Sequence, residues 1–117
     1  MTAREKEHFI RQKANDHRPD YNEKILWSLH ALKKTRIERL RKDNVENALK
    51  EAIIVEDYPM EGRPLPGCLV LGFAGGEPVH IVAAVDYALD RLFIITVYRP
   101  SAERWEDDWK RRKRNSG

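Results

Sequence analysis

The chain has 117 residues, 35% of them charged and 41% hydrophobic, with a formal net charge of +3. That length fits one domain with a modest core, and the composition is charged but still globular. The apolar runs are strand-length, so no membrane-spanning helix is expected; "MTAREKEHFIRQK" holds no apolar signal-peptide core, and a cytoplasmic location is expected.

Residues 1–21 read as an N-terminal helical extension to one α+β domain over 22–117. "TAREKEHFIRQKANDH" predicts a short helix ended by Pro19. Its apolar content, chiefly Phe9 and Ile10, is thin, so loose docking is expected, with His8 and His17 at the surface. "NEKILWSLHALKKTRIERL" is the strongest helical pattern, with Ile25, Leu29, Leu32 and Leu40 as its stripe and Leu26 and Ile37 beside it. "DNVENALKEA" predicts a separate helix, capped by Asp43 with Glu46 completing a capping box. "IIVEDYP" has strand composition stopped by Pro59, and "MEGRPLPG" is a loop. Three more strands follow, "CLVLGFA", "PVHIVAAV" and "RLFIITVY". Gly75-Gly76 makes a hairpin between the first two, and "DYALD" joins the last two. "SAERWEDDWKRRKR" reads as a closing helix, with Ser101 as cap, acids early and bases late, as the helix dipole prefers. The order is an α+β fold: N-terminal helices packed on an antiparallel meander of about four strands, then a C-terminal helix.

Register follows from the turns. Gly75-Gly76 sets Ala74 against Glu77 and Leu71 against His80, while a five-residue "DYALD" loop sets Val85 against Arg91 and His80 against Thr96. One face then carries Val70, Val79, Ile81, Ala83, Phe93, Ile95 and Val97, all apolar, and receives the helices. The other carries Leu69, Leu71, Val82 and Ile94 at one end and His80, Thr96 and Tyr98 at the other. A half-apolar face with convergent polar groups is a default site. His80 beside Thr96 also reads as a hydrogen-bonded pair under a loop, and His30 as a packed helix histidine.

The single cysteine, Cys68, lies in "CLVLGF" and reads as a buried, inert thiol. No phosphate loop and no metal-ligand spacing is present, and adjacent Glu56 and Asp57 point to opposite faces of a strand. No cofactor or metal is therefore expected. Bases cluster in two places: Lys33, Lys34, Arg36, Arg39, Arg41 and Lys42 against Glu38 alone, and "KRRKR" at Lys110–Arg114. Such clusters suit a polyanion, or simply a solvated helix face and tail. What remains is histidine, tyrosine, threonine and arginine, a set on which RNA cleavage can run, because RNA supplies its own 2′-hydroxyl nucleophile.

The segments "LWSLHALKK", "VENALKEAIIVEDYP", "LPGCLVLGFAGGEPVHIVAAV" and "IITVYRPSAERWEDDWKRR", from about Asn22 to Arg112, resemble the bacterial domain-of-unknown-function family 4258. That family looks like part of the RelE-like and barnase-like nuclease fold group, whose members resemble toxins paired with a small zinc-finger or helix-turn-helix antitoxin. The resemblance implies a metal-independent endoribonuclease, or a relative of one. On matching motif positions it implies His30, Asp57, His80, Thr96, Tyr98 and Arg99 as the functional candidates, with Trp105 and Arg112 from the C-terminal motif. Similar proteins often place a glycine turn between the first two matching helices, where this chain has "RIERLRKDN".

The expected function is RNA cleavage, with His80 as base or acid and Tyr98 or His30 as its counterpart. Arg99 and a cation of the 33–42 cluster would steady the phosphate. Lys33, Lys34, Arg36, Arg39, Trp105, Arg111 and Arg112 would hold RNA. The alternative is a non-catalytic module of the same fold that binds RNA or an antitoxin.

Overall fold

The computed structural model describes residues 2–20, 24–58 and 62–114. Three helices, α1 (Ala3–Asp16), α2 (Leu29–Ile37) and α3 (Lys42–Ala48), accompany five strands. The strands are β1 (Ile25–Trp27), β2 (Ile53–Tyr58), β3 (Gly67–Ala74), β4 (Glu77–Asp86) and β5 (Arg91–Tyr98). They form one sheet in the order β1-β5-β4-β3-β2. β2 to β5 run as an antiparallel meander, and β1 adds to the edge of β5 in parallel. The mixed α and β architecture agrees with the expectation, but the sheet has five strands rather than four.

The fifth strand comes from within the expected long helix. Ile25, Leu26 and Trp27 pair with Leu92, Phe93 and Ile94, so the ladder on the open edge of β5 outweighs the local helical spacing. α2 starts only at Ser28, whose hydroxyl caps the Ala31 N–H at 2.9 Å and donates to the Ile95 carbonyl at 2.9 Å. The predicted stripe fails with it: Leu29 is 79% exposed, and α2 buries Ala31 and Thr35 instead.

α2 ends without glycine. Arg39 takes the left-handed conformation (φ +55°), and the Leu40 N–H closes back on the Thr35 carbonyl at 2.8 Å. α3 is preceded by Arg41 and has no side-chain cap. Asp43 bonds the Asn44 N–H and Arg41, and Glu46 accepts from the Trp27 indole, so the expected capping box does not form.

α1 docks firmly, against expectation. Ile10 is fully buried, and the Lys6 ammonium is buried on the Tyr58 and Gly67 carbonyls and Asp57. The His17 side chain is buried rather than exposed; its Nδ1 accepts the Lys24 and Ile25 N–H groups at 2.9 and 3.2 Å, which ties the end of α1 to β1. Pro59 and residues 60–61 of the predicted loop lie outside the described residues.

The core lies between the sheet and α1 and α3: Val70, Val79, Ile81, Ala83, Val85, Leu92, Ile94 and Val97 face Ile10, Val45, Ala48 and Leu49. Gly75 and Gly76 both have positive φ, 60° and 85°, and make the expected hairpin, with Leu71 opposite His80. The β4–β5 register departs from expectation. Asp86 rather than Val85 meets Arg91, and a bulge at Ile95 adds a second step. His80 is therefore opposite Tyr98, and Thr96 is opposite Val82. Leu92 and Ile94 take the helix face, and Phe93 passes to the other, because each one-residue step reverses a strand's faces. Two steps restore the original parity beyond the bulge, so His80, Thr96 and Tyr98 still share a face.

Residues 101–114 form no C-terminal helix. One turn closes at Ser101, then Trp105 and Arg112 form a β-bridge, with Glu106 N–H on the Arg111 carbonyl and Lys113 N–H on the Arg104 carbonyl, both at 2.8 Å. The charge gradient favours a helix, but Trp105 gains more by packing on the sheet, where it is 2% exposed.

Candidate functional site

The sheet face away from α1 and α3 changes character along its strands. At one end Val82, Ala84, Phe93 and Ile95, roofed by Arg63, Pro64 and Leu65, line an apolar cavity of about 440 Å³. At the other end lie His80, Thr96 and Tyr98.

Alternate residues of β5 present the two hydroxyls on one face, and each meets a histidine from a different element. Exposed His30, from the first turn of α2, reaches Thr96 Oγ1 through Nε2 at 3.0 Å. His80, from β4 and fully buried, reaches the Tyr98 hydroxyl through Nδ1 at 3.2 Å and the Trp109 carbonyl through Nε2 at 2.7 Å. A carbonyl only accepts, so Nε2 carries a proton and donates it. In the neutral ring Nδ1 is then the acceptor, and Tyr98 donates.

The electrostatics fit this tautomer. Burial holds His80 below its usual 6.5, opposed by the Trp109 carbonyl and the Glu56 carboxylate. Burial also pushes the Tyr98 phenol up, so it keeps its proton. Glu56 accepts from Arg112 Nε at 2.6 Å and Nη2 at 3.1 Å, which holds its carboxyl below the ordinary value. Tyr58 donates to the same carboxylate at 3.0 Å and is pushed up to about 12, first by burial and then by that bond. Trp105 meets His80 edge-on at 4.4 Å, and Arg112 stacks over Trp105 at 4.7 Å.

His30, Thr96, His80 and Tyr98 thus gather on one face, and Arg112 lies at its margin. Arg99 turns elsewhere. Its guanidinium bonds the Glu38 carbonyl at 2.8 Å, the Arg39 carbonyl at 3.0 Å and Glu77, so it fastens the end of α2 to β4 instead of meeting His80. Asp57 points to α1 and pairs with Lys6. Among the predicted RNA contacts, Lys33, Arg36 and Arg39 are exposed, Lys34 pairs with Glu38, and Arg111 pairs with Asp108. Trp105 packs its ring against His80.

Glu56, Tyr58 and the Trp109 carbonyl are additions that sequence reasoning missed. Glu56 and Tyr58 alternate on a strand and so share a face, which was a usable signal; nothing local marked a backbone carbonyl. Cys68 is buried as expected, and desolvation pushes its thiol up to about 12. Among the described residues no three His, Cys, Asp or Glu side chains stand together as a metal-ligand set, and no helix is long and apolar enough to cross a membrane.

The family model described as Domain of unknown function (DUF4258) matches residues 27–99. The chain belongs to that family. The family span runs from the end of β1 through β5 and includes both histidine–hydroxyl pairs, Glu56 and Tyr58; α1 and the segment after Pro100 lie outside it. No curated protein and no solved structure matches the chain.

Proposed function

We propose that this protein is a metal-independent endoribonuclease of the RelE-like and barnase-like group, acting as the toxin of a toxin–antitoxin pair. The observation that carries the reading is the paired arrangement on β5, with His30 on Thr96 and His80 on Tyr98, both on one sheet face. Tyr98 takes the proton of the RNA 2′-hydroxyl while passing its own to His80 Nδ1. The imidazolium so formed is steadied by the Glu56 carboxylate. The 2′-oxygen attacks the adjacent phosphorus and the bond to the 5′-oxygen breaks. His30, protonated, gives its proton to that leaving oxygen. Lys33, Arg36 and Arg112 supply positive charge for the phosphorane. The apolar end of the face, with its cavity, suits contact with a small antitoxin.

A second reading has its own support. The His80 ring is fully buried and both its nitrogens are engaged, as a structural histidine in a non-catalytic RNA- or antitoxin-binding module would be. Incubation of the pure protein with mixed RNA in EDTA separates the two. Fragments ending in 2′,3′-cyclic phosphate and 5′-hydroxyl are expected from the enzyme. Salt-sensitive binding with intact RNA would instead favour the module.

A further inference from the structure

The segment after Pro100 is built as a cover over His80. From below, Trp105 packs on the ring at 4.4 Å, and the Trp109 carbonyl takes the Nε2 proton at 2.7 Å. From outside, Arg112 reaches over Trp105 and closes on Glu56 with two hydrogen bonds. The result is a fully buried ring, at 0% exposure, in the polar half of the sheet face opposite α1 and α3.

The attachment is light. Trp105 is the one buried side chain among described residues 101–114. Trp109, whose carbonyl seals Nε2, sits at φ +61°, a strained conformation for a bulky residue. The closing ion pair is open to solvent on one side, with the Arg112 side chain 59% and the Glu56 side chain 28% exposed, so salt screens it. The outer surface of the cover is cationic on balance and most so at its end: Arg104, Lys110, Arg111, Arg112, Lys113 and Arg114 are all exposed, against the exposed acids Glu103 and Asp107, with Arg111 paired to Asp108.

We propose that this cover is operated by single-stranded RNA: the phosphate chain binds its cationic outer surface, takes Arg112 from Glu56, and draws Trp109 and Trp105 off His80. A phosphate offers the guanidinium the same two-oxygen fork as a carboxylate, and a chain of phosphates engages several cations at once. Opening breaks the bond between Nε2 and the Trp109 carbonyl and bares the ring beside Tyr98, on the face where His30 waits. The inference rests on the ribonuclease reading. It adds that access to His80 is set by the ligand itself, through a segment outside the family span.

The test follows the His80 Nε2 proton by nuclear magnetic resonance in the full chain. The probe is a short oligothymidine, which has a phosphate backbone but no 2′-hydroxyl and so is not cleaved by this chemistry. In the free protein the proton is expected to exchange slowly with water. Saturating oligothymidine is expected to speed its exchange by at least about tenfold. Arg112→Ala without ligand is expected to speed it by roughly two- to fivefold, the range of an exposed pair, with an unchanged circular dichroism spectrum; should that variant misfold, the ligand arm on the wild type decides alone. Unchanged exchange at saturation, or no oligothymidine binding at low salt, overturns the proposal. Failure of the ribonuclease reading shows differently: RNA stays intact while the exchange still accelerates, which supports the cover and removes only the catalysis.

Discussion

At the scale of single residues the account turns on His80. Burial lowers its folded-state pKa below 6.5, so in the pH range between the two values the unfolded chain binds the proton and the folded one does not. Its contribution is therefore complete above the unfolded value and is lost as pH falls from there through the folded pKa. Urea unfolding is expected to show a lower midpoint at about pH 5.5 than at about pH 7.5, with the difference reduced in His80→Asn. An equal pH response in wild type and variant would contradict the buried neutral ring. The sequence made His80, Thr96, Tyr98 and His30 legible as candidates, since each is a polar residue in or beside an apolar pattern. It did not disclose who pairs with whom, because two one-residue steps, Asp86 rather than Val85 opposite Arg91 and the bulge at Ile95, together move His80 from Thr96 to Tyr98. Arg99 was misplaced for a related reason. The strand ends before Pro100, and the guanidinium finds its acceptors in Glu77 and in the carbonyls just past α2.

At the scale of elements the sheet and α3 meet through a glycine. A Cβ at Gly72 would lie 2.8 Å from the Ala48 carbonyl oxygen and 2.9 Å from the Ala48 Cβ, and both belong to the short, fixed end of α3. Gly72→Ala must push α3 off β3 and is expected to cost about 1–3 kcal/mol, read as a lower denaturation midpoint. Unchanged stability would mean that α3 does not approach β3 as described. The β3–β4 hairpin was readable because Gly75-Gly76 has a local geometric requirement. β1 was not, because three residues inside a helical spacing become a strand only through the free edge of β5. The C-terminal helix was misread for the same kind of reason: acids before bases satisfy the dipole rule, but Trp105 and the Trp109 carbonyl find partners on His80.

At the scale of the whole molecule, the fold separates its two tasks by sheet face. One face is closed by α1 and α3 around an apolar core; the other keeps a cavity, two histidine–hydroxyl pairs and a cationic C-terminal cover. The division was visible in the alternation of β3 and β4, but the firm docking of α1 was not. Its anchors, Ile10 and the long stems of Lys6 and Lys13, are few and two of them are charged. The central claim is that α2 and the sheet together build one metal-independent RNA-cleaving site. It is tested most directly by the turnover of a labelled RNA in EDTA by wild type and by His30→Ala, which alters an exposed side chain and leaves the core untouched. The account predicts EDTA-resistant cleavage by the wild type and a loss of at least about 100-fold in the variant at unchanged stability; cleavage that survives His30→Ala in full, or RNA left intact by the wild type, would contradict it.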